Sequence, residues 1–171
     1  EERIILKDME ETNAWWTKEF HALEYKDREI YPEIKKFMKT RQIVAITGLR
    51  RVGKTTIMFK FIKEYLDVGF SNHNIFYFSF DDYSSVRISD IIDIYRKLFN
   101  KNLRTEDYFF VFDEIQKIKN WGEQLKRIYD IRFNDLEKSK YEIHEELLRE
   151  DIKVCHDTIQ KVINRHAELR N

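Results

Sequence analysis

Residues 42–66 read QIVAITGLRRVGKTTIMFKFIKEYL, and Gly48 to Thr55 form the pattern G-x-x-x-x-G-K-T. The two glycines allow the backbone to curl so that successive N–H groups point inward at an anion. Lys54 supplies a compact cation that reaches phosphate oxygens, and the Thr55 hydroxyl is placed to hold Mg²⁺. The helix expected after the loop adds its positive N-terminal end. The pattern therefore predicts a loop that binds the phosphates of a nucleotide.

The residues on either side of this loop fit that interpretation. The apolar run at 43–46 predicts a strand buried on both faces. Apolar residues recur at helical spacing over 57–66, and Gly69 is expected to end the helix. An ordinary glycine-containing turn between a strand and a helix is the alternative. The strand–loop–helix order favours the nucleotide site, because this is the context in which the motif occurs.

Composition limits the class of protein. The chain has 171 residues, enough for one domain or one domain with a small appendage. Its 31 basic and 31 acidic residues balance, so net charge gives no argument for a nucleic acid or membrane partner. Cys155 is the single cysteine, which excludes an internal disulfide and favours a cytoplasmic location. We find no apolar run of about 20 residues and no signal-peptide core, so no membrane contact is predicted.

The periodicity of the remaining chain predicts alternating strands and helices, and hence an α/β fold with a parallel sheet flanked by helices. The predicted strands are 74–80 and 108–112, and the predicted helices are 27–40, 89–98 and 121–129. Pro32 suits the first turn of its helix, and Ser89 suits an N-cap. Near the N-terminus, an aromatic cluster is expected to pack a leader segment onto the core, with a binding surface as the alternative. The cluster comprises Trp15, Trp16, Phe20, Leu23 and Tyr25.

A second motif ends the strand predicted at 108–112. Four apolar residues are followed by Asp113 and Glu114, which matches the second signature of phosphate-loop ATPases. The first acid would hold the Mg²⁺ shell, and the second would polarise the attacking water. The alternative is that the acids cap a helix N-terminus. The carboxyl end of a parallel strand is where α/β ligand sites form, which favours the catalytic interpretation.

The stretches ITGLRRVGKTT and FVFDEIQKIKNWGEQLKRIYD resemble archaeal-type ATPases of the AAA-like branch of phosphate-loop proteins. Asn13, Trp15 and Trp16, and Arg28 to Ile30, also match, so that the resemblance covers residues 10–130. It implies a phosphate-loop NTPase fold, ATP and Mg²⁺ as ligands, Mg²⁺ coordination near Thr55 and Asp113, and Lys54 and Glu114 as catalytic residues. The implied nucleotide contacts are Gly48, Leu49, Arg50, Arg51, Val52, Gly53, Lys54, Thr55 and Thr56.

Four matching positions receive no firm role. Arg50 or Arg51 would touch phosphate or a neighbouring subunit, or would face solvent. Gln116 and Trp121 belong to the family's motif, but the sequence assigns them no chemistry.

The sequence departs from this family after Tyr129. The family places a strand with a γ-phosphate sensor between the loop strand and the acidic strand, and no such apolar run follows. Without it, the two strands would expose unpaired backbone groups. We therefore expect the sheet to be incomplete, with an internal segment missing and a break near Asp130 and Ile131.

The predicted organisation is a leader and helix at 1–40, a partial ATPase core at 41–130 and a helical tail at 131–171. Residues 139–171 resemble a helix-turn-helix that would bind DNA. The tail carries eight Lys and Arg against nine Asp and Glu, which instead favours a helical hairpin packed on the core. A zinc site from His144, Cys155, His156 and His166 lacks the usual paired spacing.

The motifs together predict a Mg²⁺-dependent ATPase that acts as a switch or motor, with a protein partner or homo-oligomer. The alternative is a nucleotide-gated DNA- or protein-binding adaptor with little hydrolysis. A small-molecule kinase would need a substrate site and a lid, which the sequence does not reveal. The cellular process, the oligomeric state and the choice of ATP over GTP are not determined by these residues.

Overall fold

The computed structural model describes residues 2–17, 20, 28–38, 43–103 and 106–133, and of residues 131–133 only the backbone. The chain divides into two compact units. One comprises Glu1–Ala22 and Phe61–Glu137, and the other comprises Leu23–Lys60 and Lys138–Asn171. The domain boundaries predicted at 40 and 130 stay a prediction. Within the described ranges, no helix has both the length and the apolar character needed to cross a membrane.

The first unit is built around a parallel pair of strands. β1 (Ile75–Ser79) and β2 (Phe109–Asp113) lie in register from Ile75 opposite Phe109 to Ser79 opposite Asp113. Helix α4 (Ile88–Phe99) connects them, as a parallel pair requires a crossover. Both predicted strands and the helix predicted between them are confirmed, and the described part of the fold is mixed α/β.

Aromatic side chains dominate the packing of this unit. Phe76 stacks on Tyr95 of α4 with ring centroids 4.7 Å apart, and both side chains are fully buried. Trp16 approaches Phe99 edge to face at 4.7 Å. Large rings bury much apolar surface and prefer these offset and edge contacts, so they fix α4 against the strands.

Helix α1 (Glu2–Thr12) and the turn Ala14–Trp16 form the leader that the sequence predicts to pack on the core. Trp15 and Trp16 are buried, and both indole N–H groups donate to the Ile75 carbonyl, at 3.0 and 2.9 Å. Packing of the aromatic leader on the core is thus confirmed for these two residues. Leu23 and Tyr25 lie outside the described residues.

Helix α3 (Lys54–Asp67) follows the phosphate loop, as predicted, and Gly69 lies two residues after its end. Gly69 has a φ of 85°, and the N–H groups of Gly69 and Phe70 donate to the carbonyls of Leu66 and Tyr65. This is the Schellman arrangement, which favours glycine because an L side chain is strained at positive φ. The ring of Phe70 contacts that of Tyr65, which completes the motif.

The remaining helices lie where the sequence predicts them, but their bounds and the cap of α4 differ from the prediction. α2 (Tyr31–Met38) is shorter than the predicted 27–40, with Pro32 in its first turn. α5 (Trp121–Phe133) extends beyond the predicted 121–129. Ser89 is not the N-cap of α4, because the helix begins one residue earlier and Arg87 occupies the cap. The Gln124 side chain of α5 instead accepts the Ile88 N–H at 2.9 Å.

One further prediction is corrected by the described backbone. Residues 43–49 form neither helix nor strand, so the predicted strand before the phosphate loop is wrong. A strand exists only through hydrogen bonds to a neighbour, and the residues that the structure describes give 43–46 no such ladder. α5 runs through Asp130 and Ile131 to Phe133, and a segment missing from the sequence near these residues stays a prediction. The predicted tail elements at 139–171 lie outside the described residues, as do the four residues whose spacing argued against a zinc site.

Candidate functional site

The phosphate loop has the curled backbone that its sequence predicts. Gly48, Arg51 and Gly53 all have positive φ, at 156°, 63° and 85°. The Gly53 carbonyl accepts the Ile57 N–H at 3.1 Å, so that α3 begins directly from the second glycine. The N-terminus of α3 therefore begins directly at the loop, which is the arrangement that binds anions.

Lys54 folds back over the loop. Its Nζ donates to the Gly48 carbonyl at 3.2 Å and to the Leu49 carbonyl at 3.0 Å. A lysine ammonium has three N–H donors, so these two bonds hold it at the loop with one further donor for a ligand. The loop thus brings Lys54 and Gly48 together as the motif requires.

Arg28 is a residue near the loop whose position the sequence motif alone did not reveal. A Cβ built on Gly53 would lie 2.6 Å from Nη2 of Arg28 and 2.9 Å from its Cζ. The guanidinium group therefore occupies the space that a side chain at position 53 would need. In the part of the chain that the structure describes, Arg28 has no carboxylate partner. The only signal for Arg28 in the sequence was that it belongs to the stretch Arg28 to Ile30, which resembles the archaeal-type ATPases.

The other predicted contact residues lie on the outside of the loop or at the start of α3. Leu49, Arg50, Arg51 and Val52 are exposed, with Leu49 at 75%. Neither arginine forms an ion pair with a described residue. On α3, Thr55 is exposed, while Thr56 is half-buried; the loop thus keeps the predicted Mg²⁺-binding hydroxyl at its surface.

Asp113 ends β2 as a buried carboxylate, with 7% of its surface exposed. Its Oδ1 accepts the Glu114 N–H at 2.9 Å, and its Oδ2 accepts the hydroxyl of Tyr77 at 3.2 Å. Burial, reinforced by the Asp113 charge, raises the pKa of Tyr77, so that the phenol keeps its proton and donates at neutral pH. Sequence reasoning missed Tyr77, although it lies on the same face of β1 as Ser79, which pairs with Asp113.

Glu114 follows in a left-handed backbone conformation, with φ of 51° and ψ of 27°. A non-glycine residue with this backbone is uncommon, and such residues cluster at functional sites. Glu114 occupies the N-cap position of the turn Ile115–Lys117, but its side chain makes no capping bond. Its Oε2 instead accepts a hydrogen bond of 2.7 Å from the Gln116 amide, so that one residue of the motif orients another.

Lys117 fixes the turn that carries these acids. Its Nζ donates to the Asp81 carbonyl at 2.7 Å and also forms an ion pair with the Asp81 carboxylate. Asp81 follows β1, so this contact joins the turns after the two strands. The carboxyl ends of parallel strands are where ligand sites form, and the contact orders that edge.

Hydroxyl and carboxylate oxygens are the ligands that Mg²⁺ prefers. The Thr55 hydroxyl and the Asp113 carboxylate each agree with that preference. Among the described residues, no three His, Cys, Asp or Glu side chains converge as a metal cage. Mg²⁺ does not require one, since it keeps several waters and takes one or two carboxylates together with substrate phosphates.

Comparison with known proteins places these elements in a family. A family profile described as AAA domain matches residues 40–143, more than half of the chain. The chain belongs to the AAA domain family. AAA domains are nucleotide-binding, ATPase-like domains, which agrees in general terms with the predicted function. The match includes the phosphate loop and both acids of the second motif.

Two curated relatives of this AAA domain are uncharacterized proteins. One, from Methanocaldococcus jannaschii, is 30% identical over 92 residues, covering 53% of this chain and 19% of that protein. The other, from Haemophilus influenzae, is 30% identical over 98 residues, covering 55% of this chain and 24% of that protein. The matched part thus spans about a fifth to a quarter of these relatives. No solved structure matches the chain.

Proposed function

We propose that this AAA domain binds ATP with Mg²⁺ through residues 48–56 and hydrolyses it as a switch or motor. The observation that carries the proposal is the phosphate loop itself. Its positive-φ residues lead directly into the N-terminus of α3, and Lys54 is held on the loop carbonyls. This combination presents backbone N–H groups, a helix end and a cation to one anionic ligand.

Each residue would have a distinct role. The loop N–H groups and Lys54 would bind the phosphates, and Thr55 and Asp113 would hold Mg²⁺. When bound, Mg²⁺ would neutralise charge that develops on the phosphate oxygens. Glu114 would accept a hydrogen bond from the attacking water and orient it for in-line attack. The bond from Gln116 supports this role, because it restrains the Glu114 carboxylate.

The proposal includes an alternative in which the same loop binds nucleotide but hydrolysis is slow. The chain would then be a nucleotide-gated adaptor for DNA or for a protein. The preference for ATP rests on the resemblance to archaeal-type ATPases and on the AAA family.

The test is phosphate release from MgATP by the native chain and by Glu114→Gln. We expect turnover to fall at least tenfold in the variant while MgATP affinity is retained. A tenfold fall corresponds to about 1.4 kcal/mol of lost transition-state stabilisation. Glu123→Gln is the matched control, because Glu123 is an exposed glutamate in the first turn of α5. It should leave turnover unchanged.

Different outcomes separate the two versions of the proposal. Binding without turnover in either protein would favour the adaptor. Equal turnover in the native chain and in Glu114→Gln would remove Glu114 from the mechanism. A native chain that binds no ATP would overturn the nucleotide site itself.

A further inference from the structure

The carboxylate of Asp113 is oriented from two sides by its own chain. The Glu114 N–H bonds to Oδ1, and the Tyr77 hydroxyl bonds to Oδ2. A carboxylate can rotate about its terminal bond, so a single contact leaves its two oxygens interchangeable. Two contacts, one to each oxygen, assign each oxygen a fixed direction.

Tyr77 reaches Asp113 from the neighbouring strand. In the register of the sheet, Tyr77 lies opposite Val111, and Ser79 lies opposite Asp113. Residues two apart share a face of a strand, so Tyr77 contacts Asp113 along a diagonal of the sheet. The phenol thus reaches from β1 to the carboxylate that ends β2.

The backbone of Tyr77 is fixed independently of β2. Asn13, which is completely buried, donates from Nδ2 to the Tyr77 carbonyl at 2.9 Å and accepts its N–H at 2.7 Å. Tyr77 itself is only 6% exposed. The position of its hydroxyl is therefore determined by the leader on one side and by β2 on the other. Such a group can hold a partner in place without moving itself.

We propose that Tyr77 is a positioning residue that holds the Asp113 carboxylate in the orientation needed to bind Mg²⁺ with the nucleotide. This inference rests on the proposed function. Outer-shell partners of metal ligands orient those ligands, and their loss typically lowers metal affinity about 10- to 100-fold. A purely structural hydrogen bond would change stability but leave the Mg²⁺ requirement alone.

The experiment measures binding of a fluorescent ATP analogue to the full chain over a series of Mg²⁺ concentrations. Tyr77→Phe should raise the Mg²⁺ concentration for half-maximal enhancement about tenfold. It should change analogue binding without Mg²⁺ less than twofold. Phe76 and Phe78 flank the position, so a phenyl ring suits this part of β1.

Tyr95→Phe is the matched control. The Tyr95 phenol is also buried and also donates a hydrogen bond, but to the backbone carbonyl of His73. We expect Tyr95→Phe to lower the unfolding midpoint as much as Tyr77→Phe does, and to leave the Mg²⁺ dependence unchanged. Equal Mg²⁺ midpoints in both variants and the native chain would overturn the proposal.

Two further results complete the test. If Tyr77→Phe does not fold, Ser79→Ala replaces it, because Ser79 lies opposite Asp113 on the same face of β1 as Tyr77 and its loss should shift the midpoint in the same direction by a smaller factor. No shift in that variant would then reject the role of Tyr77. If the native chain binds the analogue without any Mg²⁺ enhancement, the proposed metal role of Asp113 fails and this inference fails with it. If Mg²⁺ strengthens analogue binding in the native chain and equally in Tyr77→Phe, the role of Tyr77 is rejected while the metal role of Asp113 stands.

Discussion

At the scale of single residues, Gly53 carries two constraints at once. Its φ of 85° lies in the region that L side chains avoid, and the Arg28 guanidinium fills the space beside its Cα. Gly53→Ala should lower the free energy of unfolding by about 1–2 kcal/mol, mainly through the backbone. Because the Arg28 side chain can move, steric repulsion adds little stability loss. We expect Gly53→Ala to lower ATP affinity more than stability, because the backbone of the loop must change its conformation. Urea unfolding measures the stability, and ligand titration measures the ATP affinity.

Gly69→Ala is a close control for this prediction. Gly69 has the same φ of 85°, but no atom lies within 4 Å of its missing Cβ. Gly69→Ala should lower the free energy of unfolding by a similar amount and leave ATP binding unchanged. Loss of binding in both variants would mean that the effect comes from general destabilisation and not from the loop.

At the scale of elements, the leader supplies hydrogen bonds that a third strand would otherwise provide. On the edge of β1 away from β2, the Asn13 side chain bonds to the N–H and the carbonyl of Tyr77. The indole N–H groups of Trp15 and Trp16 bond to the carbonyl of Ile75. An open strand edge invites pairing with another chain, and native proteins cover it. The leader therefore ends the sheet on this side.

Asn13→Ala tests this role. The substitution leaves the N–H and the carbonyl of Tyr77 buried without these partners, and each such group costs about 1–3 kcal/mol. We expect the free energy of unfolding to fall by about 2–4 kcal/mol, measured by denaturant titration. Asn72→Ala is the comparison, because Asn72 is exposed and donates one bond of 2.9 Å to the Trp15 carbonyl. It should cost about 1 kcal/mol or less. Equal losses would argue against the edge-covering role.

At the scale of the whole molecule, phenol groups make stability depend on alkaline pH. Burial raises the pKa of Tyr95, and burial together with the bond to Asp8 raises the pKa of Tyr83 to about 12. Both folded values lie above the ordinary 10.0, so the unfolded chain releases these protons first. Their contribution is complete below about pH 10 and is lost as the pH rises through the folded values. The free energy of unfolding should therefore fall above about pH 10.

Unfolding midpoints in urea across this pH range measure the effect, with tyrosinate absorbance as a parallel signal. Tyr83→Phe lacks one of the titrating groups, so its stability should decline less steeply than that of the native chain. Because lysines also titrate in this range, the difference between the two curves is the relevant quantity. Parallel curves would exclude a contribution from Tyr83.

The sequence by itself determined the features that depend on neighbours along the chain. The helical periodicity of α3, α4 and α5, the apolar runs of β1 and β2, and the glycines at 48, 53 and 69 all act within a few residues. Local backbone preference and side-chain spacing are sufficient for such elements. The phosphate loop and the acids that end β2 could be predicted for the same reason, since both are short motifs with fixed spacing.

Only the tertiary structure decided how these elements are held. The contacts of Asp113 with Tyr77 and of Tyr77 with Asn13 join residues far apart in the sequence, as does the capping of α4 by Gln124. The predicted strand at 43–46 failed for the same reason, because a strand depends on a neighbour that its own residues do not specify. Local propensity fixes which segment is helical or extended, while hydrogen bonds between distant segments depend on packing that no single segment encodes.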